Sequence, residues 1–376
     1  MAALFQQTIT GMDLKTLVAV LWHRRGQIHW RYFPRLAYLA VLAGFNSYTA
    51  LLEKAVDGAK IAAAEPVAPP IIILGYWRSG TTHLHNLMNC DPDLTCPTAY
   101  QVMFPHHFVY SQPWGAKMFD YLAPSKRPMD NVAFHGTTPH EEEIALAGLT
   151  GVSPYLRVLF PAPAEDPCAA LDPAQLPAPA LAQWQEAFRL FIKKLSFSKG
   201  KRIVLKSPPH LGRIPQLLKL FPGAKFIHIL RNPYEVYLSF WKVWRVGHEP
   251  SHLRKPDYQY IDELILSWYE ELFALFERDR RMIPAGDLHE LRFEDLVASP
   301  RECLADMYEK LGLPAFERFW PKASAYLSHI ADYQKSRYTL TEEVRAKVNQ
   351  RWGFFFQRYG YPLLPPLKPG ASLSLG

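Results

Sequence analysis

The part of this sequence that most constrains its fold is an apolar strand followed directly by a polar turn and a helix. Residues 71–74, Ile-Ile-Ile-Leu, predict a parallel strand that is buried on both faces. Gly75 and Gly80 bracket the turn, and residues 83–88 continue with the spacing of a helix. Free backbone N–H groups and the positive end of the helix dipole converge on such a turn, so the segment predicts an anion-binding site.

The side chains of the turn also suit an anion. Arg78 adds a planar cation for phosphate or sulfate oxygens, and Thr81 and Thr82 add hydroxyl donors. The two glycines have the spacing of the P-loop of nucleoside-triphosphate enzymes, but that loop requires a lysine directly after the second glycine. Thr81 occupies the lysine position here. The turn therefore keeps the phosphate cradle and lacks the residue that binds the β- and γ-phosphates.

Three later segments predict further strands of a parallel sheet, residues 202–205, 224–230 and 289–293. Helices alternate with these strands, which favours an α/β fold with a parallel central sheet flanked by helices and with ligands at the carboxyl ends of the strands. Arg78, Lys206 and Arg231 all lie at or just beyond such ends. Three cations meeting at one sheet edge indicate an anionic ligand.

These features together resemble the 5′-phosphosulfate loop of sulfotransferases, enzymes that use 3′-phosphoadenosine 5′-phosphosulfate (PAPS). The arginine form of the loop is similar to that of tyrosylprotein sulfotransferases and of many bacterial sulfotransferases. Over about residues 70–360, the resemblance implies a P-loop-like sulfotransferase fold, PAPS as the co-substrate and no metal. It gives Arg78 the catalytic role of stabilising the leaving phosphate and the sulfuryl group in transfer. It assigns these loop residues to the cofactor: Arg78, Ser79, Gly80, Thr81 and Thr82.

The resemblance extends to the other end of the cofactor. Arg231 and Ser239 match the arginine and the serine that bind the 3′-phosphate in sulfotransferases. An acid that holds Mg²⁺ ends the corresponding strand of a nucleoside-triphosphatase, whereas Arg231 follows this one. Lys206 matches a lysine that stabilises the bridging oxygen, and Lys335 and Arg337 are expected in a segment that closes over the cofactor.

The general base is expected in an acidic segment. The position that tyrosylprotein sulfotransferases use for it holds residues 98–100, Thr-Ala-Tyr, in this chain. Residues 139–143, Pro-His-Glu-Glu-Glu, resemble the Pro-x-Glu-Asp-Glu element of bacterial sulfotransferases, including those acting on hydroxylated menaquinone-like lipids, and residues 127–131 resemble these enzymes as well. Carboxylates in a first helical turn also stabilise the helix dipole, so a structural role for the acids is open too. The candidate bases are Glu141, Glu142, Glu143 and His140.

The chain is expected to have three parts. Residues 1–65 form an added helical, apolar N-terminal segment, for which packing on the core and lying on a membrane surface are both open. Residues 66–365 form the sulfotransferase domain, with a Pro- and Ala-rich insertion at 161–179, and residues 366–376 form a flexible tail. The aromatic residues of 97–128 are expected in an irregular stretch, for which lining an acceptor pocket and packing in the core are both open.

The net charge and the cysteine content limit the kinds of partner and the cellular compartment that the sequence predicts. The formal charge of +7 suits an anionic cofactor or an anionic membrane surface, but the basic residues form no runs, so nucleic-acid binding is not expected. The four cysteines show no metal-binding spacing, and the N-terminus shows no signal-peptide pattern. We therefore expect reduced thiols in a cytoplasmic protein, with the inner face of the membrane as a variant of that location. The sequence makes no prediction of oligomeric state.

The expected function is in-line transfer of the sulfuryl group from PAPS to a hydroxyl of a small-molecule or lipid acceptor, either lipophilic or aromatic. Two alternatives stay open. One is a P-loop-type kinase, against which Thr81 and Arg231 argue because they replace its lysine and its metal-binding acid. The other is a membrane-associated binding protein that keeps the fold without catalysis.

Overall fold

The secondary structure comes from a computed structural model that describes residues 10–123, 134–161, 163, 171–331, 337–368 and 372–375. The strands are β1 Ile71–Leu74, β2 Leu94–Thr95, β3 Arg202–Lys206, β4 Lys225–Leu230, β5 Leu288–Arg292, β6 Tyr338–Thr341 and β7 Ser372–Leu375. The helices are α1 Leu14–Arg24, α2 Phe33–Ala63, α3 Thr81–Met88, α4 Ala99–Met103, α5 Phe108–Leu122, α6 Glu142–Thr150, α7 Ala178–Lys199, α8 Ile214–Leu220, α9 Pro233–Lys242, α10 Tyr258–Asp279, α11 Phe293–Ala298, α12 Pro300–Lys310, α13 Phe316–His329 and α14 Glu342–Tyr359.

Five of the strands form one parallel sheet in the order β2-β3-β1-β4-β5. The predicted α/β fold with a parallel central sheet is therefore confirmed. β1 is central, and its residue Ile73 lies level with Lys206 of β3 on one side and with Ile227 of β4 on the other. The chain crosses from β3 over β1 to β4, which makes the carboxyl ends of these three strands a topological switch point, the usual place for a ligand crevice.

The apolar run of β1 explains why this strand is at the centre. All four of its residues are fully buried. Because side chains alternate across a sheet, Ile72 and Leu74 pack into the core on one face, and Ile71 and Ile73 pack into the core on the other. Full burial of each such side chain contributes about 1.5–3 kcal/mol relative to exposure, so β1 anchors both helical layers.

Some local predictions were wrong. Residues 97–128 were expected to be irregular, but the described part of that stretch contains α4 and α5. The buried side of α5 is made of Phe108, Ser111 and Gly115, whose helical spacing is hidden in the sequence by Pro113 and by aromatic residues on all sides. β2 was missed because it pairs through only two residues at the sheet edge.

The tail contains a further strand. Residues 366–376 were predicted to be flexible, which stays a prediction, and β7 within them pairs antiparallel with β6. The alternation Ser-Leu-Ser-Leu of β7 suits a strand with two different faces. In the insertion at 161–179, the described residues form a short 3-10 helix at Pro173–Gln175 and the start of α7. The division of the chain at residues 65 and 365 stays a prediction.

The N-terminal segment is helical, as α1 and α2 occupy most of its described residues. Among those residues, the stretch Trp30–Ala63 is long and apolar enough to cross a membrane, with a mean hydropathy of 1.2 and 28% of its most apolar window buried. α2 nevertheless packs against α1, α5 and α7. Asn46 on its inner face is fully buried and donates hydrogen bonds to the carbonyls of Thr10 and Met12.

Candidate active site

The turn after β1 has a conformation that its sequence allows only with glycine at one position. Gly80 has a φ of +98°, and a Cβ atom there would lie 2.2 Å from Cδ2 of Phe293. Arg78 also lies in the left-handed region, with a φ of +71°. Such a backbone costs a non-glycine residue about 1–3 kcal/mol and tends to occur at ligand sites. The strain at Arg78 therefore marks the turn as functional.

α3 begins directly after this turn. Its N-cap residue, Gly80, has no side chain that could accept from the first-turn N–H groups, and the first hydrogen bond of the helix runs from Leu84 N to the Gly80 carbonyl. The N–H groups of Thr81 and Thr82 precede that bond and have no partner within the helix. The Ser79 hydroxyl donates to the Tyr76 carbonyl at 2.8 Å and holds the turn, and the contact of Ser79 with the cofactor stays a prediction.

The structure brings the three predicted cations together at this turn. Arg78 Nε donates to Ser239 Oγ at 2.9 Å, and Arg231 Nη1 donates to the Arg78 carbonyl at 3.3 Å. Lys206 Nζ lies 3.4 Å from Thr82 Oγ1, and the Lys206 side chain is only 2% exposed. Cations from three strand ends thus surround one helix N-terminus, as the sheet order requires.

Arg231 and Ser239 are already engaged with neighbours. Arg231 forms an ion pair with Glu235 at 2.5 Å, and its guanidinium lies 4.5 Å from the ring centre of Phe293. Ser239 Oγ accepts a hydrogen bond from the hydroxyl of Tyr338 at 2.9 Å. Tyr338 belongs to the segment that was expected to close over the cofactor, so the described end of that segment reaches the site.

Two other predicted parts give less information. Arg337 precedes β6 and is exposed. Lys335 lies outside the described residues, as do residues 127–131, which were compared with bacterial sulfotransferases on their sequence.

Glu141 is the acid that faces the cations. Its Oε1 lies 2.5 Å from Lys206 Nζ, and its Oε2 accepts a hydrogen bond from the hydroxyl of Tyr155. Burial raises the pKa of Glu141, but the charges of Lys206 and His140 and the hydrogen bonds from Lys206 and Tyr155 outweigh it and lower the pKa to about 2. Glu141 is therefore an ionised carboxylate that contacts the anion site through Lys206.

Glu142 and Glu143 contact buried partners outside the turn, which favours structural roles for them over the role of general base. Both are fully buried. Glu142 accepts from the backbone N–H of Lys206 at 3.0 Å and lies 2.5 Å from His210 Nε2. Because these partners occupy its oxygens and burial excludes solvent, Glu142 holds the end of β3 against the connection to α8.

Glu143 has the same kind of structural role. Its carboxylate accepts from both terminal nitrogens of Arg213, which is 1% exposed, and from Ser153 Oγ at 2.6 Å. Its backbone N–H donates to Ser207 Oγ at 3.0 Å. A buried carboxylate with this many charged and polar partners fixes the packing of α6 on the β3–α8 connection.

His140 is held by the backbone next to it. The N–H of Glu141 donates to His140 Nδ1 at 2.8 Å, and the His140 ring packs edge-on against Phe134 at 5.9 Å. Nδ1 is therefore the acceptor of this contact. Taking up a proton at Nδ1 would break the contact, so His140 is the weaker candidate for the base.

Sequence reasoning missed the residues that support Glu141. Trp77 Nε1 donates to the Tyr155 hydroxyl at 3.0 Å, and the Trp77 ring stacks between Phe240 at 5.3 Å and Trp268 at 5.0 Å. No spacing in the sequence links these residues, because the contacts span long separations. Glu235 could have been predicted from the sequence, because it lies four residues after Arg231 in a helix whose start is indicated by Pro233.

His248, which follows the irregular end of α9, was also missed. Burial lowers the pKa of His248 to about 3. The charges of His252 and Arg78 lower this pKa further, and the charge of Glu141 raises it. The ring packs edge-on against Trp244 at 5.0 Å. His248 is therefore a neutral imidazole that is influenced by the charges of Glu141 and Arg78 and adds no charge of its own.

The described residues fit a ligand with two anionic ends. Lys206 and the first-turn N–H groups of α3 form one cationic end, and Arg231 with Ser239 forms the other. Arg78 joins the two, because its side chain donates to Ser239. The absence of a side chain at Gly80 lets the Phe293 ring pack against the turn, and the same ring lies next to the Arg231 guanidinium. This pattern suits the 5′-phosphosulfate and the 3′-phosphate of PAPS.

Comparisons with known proteins agree with this pattern. The model of the sulfotransferase family matches residues 69–318. The chain is 34% identical over 354 residues to the omega-hydroxy-beta-dihydromenaquinone-9 sulfotransferases of Mycobacterium bovis and Mycobacterium tuberculosis, which covers 93% of this chain and 90% of each relative.

Solved structures show the same fold. A sulfotransferase from Mycobacterium avium superposes with a TM-score of 0.69 at 18% identity, covering 88% of this chain and 87% of that one. A second sulfotransferase, from Mycobacterium tuberculosis, superposes with a TM-score of 0.62 at 16% identity, covering 90% of each chain. The predicted sulfotransferase fold and the predicted resemblance are confirmed, and the chain belongs to the sulfotransferase family.

Proposed function

We propose that this sulfotransferase moves the sulfuryl group of PAPS to the hydroxyl of a lipophilic alcohol, by in-line transfer with Glu141 as the general base and without a metal. One observation carries the proposal. Lys206 Nζ lies 2.5 Å from Glu141 Oε1 and 3.4 Å from Thr82 Oγ1, so a single buried cation contacts both the acid and the anion-binding turn. An acceptor hydroxyl placed against Glu141 would therefore be next to the group that is transferred.

PAPS would supply a sulfuryl group activated by its bond to a phosphate. Arg78, Lys206 and the first-turn N–H groups of α3 would bind that end and stabilise the charge that develops on the leaving phosphate. Arg231 and Ser239 would bind the 3′-phosphate. The sulfuryl group carries less charge than a phosphoryl group, so fixed cations and N–H donors suffice to stabilise it during transfer. The proposed mechanism therefore includes no metal.

The proton transfer follows from how Lys206 is shared. While Lys206 pairs with Glu141, the carboxylate has a pKa of about 2 and is a weak base. An anion at the turn would attract Lys206 away from Glu141. Burial, the largest influence on Glu141 and one that raises its pKa, would then dominate. Glu141 thus becomes a stronger base for the acceptor hydroxyl when the donor end of the site is filled.

The nature of the acceptor is proposed from the relatives and from composition. Curated relatives that are 34% identical are named for acting on an omega-hydroxylated menaquinone. Aromatic residues make up 14% of this chain, which is compatible with an apolar acceptor pocket. We therefore propose a hydroxylated lipid, with a terminally hydroxylated isoprenoid quinone as the first compound to test, and the cytoplasm as the compartment where PAPS would be available.

The test is a turnover assay with PAPS, a terminally hydroxylated isoprenoid quinone and excess EDTA, followed by mass spectrometry of the lipid. We expect a sulfate ester and an equal amount of released 3′-phosphoadenosine 5′-phosphate (PAP), both lost in Glu141→Gln. Turnover that requires Mg²⁺ and ATP would instead support the kinase alternative. Binding of PAP without product from any of a panel of lipid and aromatic alcohols would support a binding protein on this fold.

A further inference from the structure

Three helices expose a shared apolar surface on the N-terminal side of the molecule. We call it the apolar face and define it by Val18 and Trp22 of α1, Val41 and Tyr48 of α2, and Trp114 and Tyr121 of α5. These side chains are between 45% and 88% exposed. Large apolar and aromatic side chains are normally scattered singly over a soluble protein, so a group of six on adjacent helices needs a cause.

The apolar face is continuous across the three helices. The backbone N–H of Leu14, at the start of α1, donates to Ser47 Oγ of α2 at 2.9 Å. On the other flank, the ring of Phe45 on α2 packs edge-on against Trp114 on α5, with the ring centres 6.3 Å apart. α2 therefore lies between α1 and α5 and joins their exposed side chains into one surface.

The opposite side of α2 is fixed to the protein by polar groups. Asn46 Oδ1 lies 3.1 Å from Nε2 of His107, in addition to its bonds to two backbone carbonyls. Glu53 is 2% exposed and pairs with Lys194, which is 4% exposed. A helix with these groups on one side cannot be surrounded by lipid, because the groups would lose their partners in hydrocarbon. α2 can therefore lie along a bilayer surface but cannot cross a bilayer in this structure.

The charges around the apolar face are basic. α2 has no charged residue between Arg35 and Glu53. Lys15, Arg25 and Lys117 are exposed on α1, just beyond α1 and on α5. The Arg25 guanidinium lies 4.6 Å from the ring centre of Trp22, which places an aromatic and a cation side by side. Apolar side chains bordered by tryptophan and basic residues are typical of proteins that lie at the interface of anionic membranes.

The acids in this region do not reverse that charge. α1 contains no acid, and Asp13, which directly precedes it, accepts a hydrogen bond from the backbone N–H of Thr16 at 2.8 Å. Asp120 is the acid of α5, and its Oδ1 accepts a hydrogen bond from the backbone N–H of Gly136 at 2.5 Å. Asp57, further along α2, pairs with Lys60 at 3.1 Å. The surface is therefore complementary to anionic headgroups.

We propose that the apolar face docks the protein on a bilayer that contains anionic lipid, with α1, α2 and α5 lying in the headgroup region. The docked helices are tightly joined to the catalytic side. A Cβ atom on Gly148 of α6 would lie 2.8 Å from the Gly11 carbonyl, and one on Gly151 would lie 2.9 Å from Val20. Both contacts lie at the C-terminal end of α6 and Glu141 directly precedes its N-terminal end, so docking would fix the position of the acid relative to the membrane.

Docking would also give a lipid acceptor a route to the site. This consequence rests on the proposed function, whereas the docking proposal is independent of it. The hydroxyl of a membrane lipid could reach Glu141 while its hydrocarbon chain stays in the bilayer. The apolar chain would then not have to be transferred through water, which costs about 0.8 kcal/mol for each CH₂ group.

The experiment is flotation of the full-length protein with vesicles of phosphatidylcholine, alone or mixed with phosphatidylglycerol. We expect binding to the mixed vesicles that falls as salt rises. The double variant Val18→Glu, Val41→Glu should partition about tenfold or more weakly, because two apolar contacts become charges. The matched control is Val297→Glu on α11, an exposed valine outside the apolar face, which should bind like the wild type.

A second readout locates the contact. Brominated lipids should quench the fluorescence of Trp22 and Trp114, so Trp22→Phe should reduce the quenched fraction, whereas the buried Trp184 and Trp352 stay unquenched. Calorimetric binding of PAP should be equal in all variants. That equality shows that they are folded and separates failure of docking from failure of the donor site.

Two results would overturn the proposal. One is equal vesicle binding by the double variant and by the Val297→Glu control. The other is absence of vesicle binding together with a dimer in sedimentation velocity that the double variant dissociates, because a second copy of the chain would then cover the apolar face.

Discussion

The two sides of the site are built in different ways. On the donor side, Arg78, Lys206 and Arg231 come from three strand ends, and each position follows from a local motif and the order of the sheet. On the acid side, Glu141 and Glu143 are two residues apart and chemically identical, yet one faces the cations and the other is buried against Arg213. Local sequence thus determines where the cations of the donor side lie, whereas contacts between distant segments determine which glutamate faces them.

The strongest test of this contrast compares two substitutions of the same type. Glu141→Gln should reduce turnover by about 10²–10⁴-fold, because it removes the general base. Glu143→Gln should leave turnover of the folded protein near normal but destabilise the fold by about 3–5 kcal/mol, because it leaves the buried Arg213 without its ionised partner. Steady-state kinetics and urea unfolding of both variants provide the measurements.

The loss of stability should be smaller in Glu141→Gln than in Glu143→Gln. The Glu141 side chain is 17% exposed, and a glutamine there can still accept from Lys206 and Tyr155. If Glu143→Gln abolished turnover in fully folded protein while Glu141→Gln stayed active, the assignment of the base would be reversed.

Removing a donor-side cation should have the next largest effect. We expect Lys206→Met and Arg78→Ala each to reduce turnover by about 10²–10³-fold, the usual cost of losing one electrostatic donor from a transition state. Lys219→Met, which changes an exposed lysine of α8 outside the site and outside the apolar face, is the control. Near-normal rates in either site variant would remove that residue from the donor side.

At the proposed 3′-phosphate end, substitutions should change the affinity for PAP. Arg231→Ala should weaken PAP by about 10–100-fold, in line with the loss of hydrogen bonds to a charged group, while ADP, which has no 3′-phosphate, should bind equally to wild type and variant. Glu235→Gln should tighten PAP slightly, because it frees Arg231 from its ion pair. Calorimetry measures the affinities of the wild type and of both variants. An equal loss of ADP affinity in Arg231→Ala would move this arginine away from the 3′-phosphate.

The smallest effect is expected at Tyr155. Its hydroxyl donates to Glu141, and this hydrogen bond helps to lower the pKa of the acid. Tyr155→Phe should therefore raise the pKa of Glu141, so that the acid limb of kcat/KM for the acceptor, at saturating PAPS, shifts to higher pH. The rate at neutral pH should fall by about fivefold or less, the value of one hydrogen bond. A shift to lower pH would show that Tyr155 acts in another way.

The difference between the sides also explains how far the sequence could predict this protein. Four of the five strands of the sheet and the three cations follow from apolar runs and from the residues just after them. The choice among the three glutamates depends on His210 and Arg213, which lie more than sixty residues away. The helical structure of α5 was obscured by Pro113. Such contacts have no local signal and appear only when the chain is folded.

The central claim is that the cations at the sheet edge bind the PAPS nucleotide. The most direct test is metal-free calorimetry of the full-length protein with PAP, compared with ADP and with Mg²⁺–ATP. The account predicts tight binding of PAP that requires the 3′-phosphate and no metal. A preference for Mg²⁺–ATP, or no binding of any nucleotide by folded protein, would contradict it.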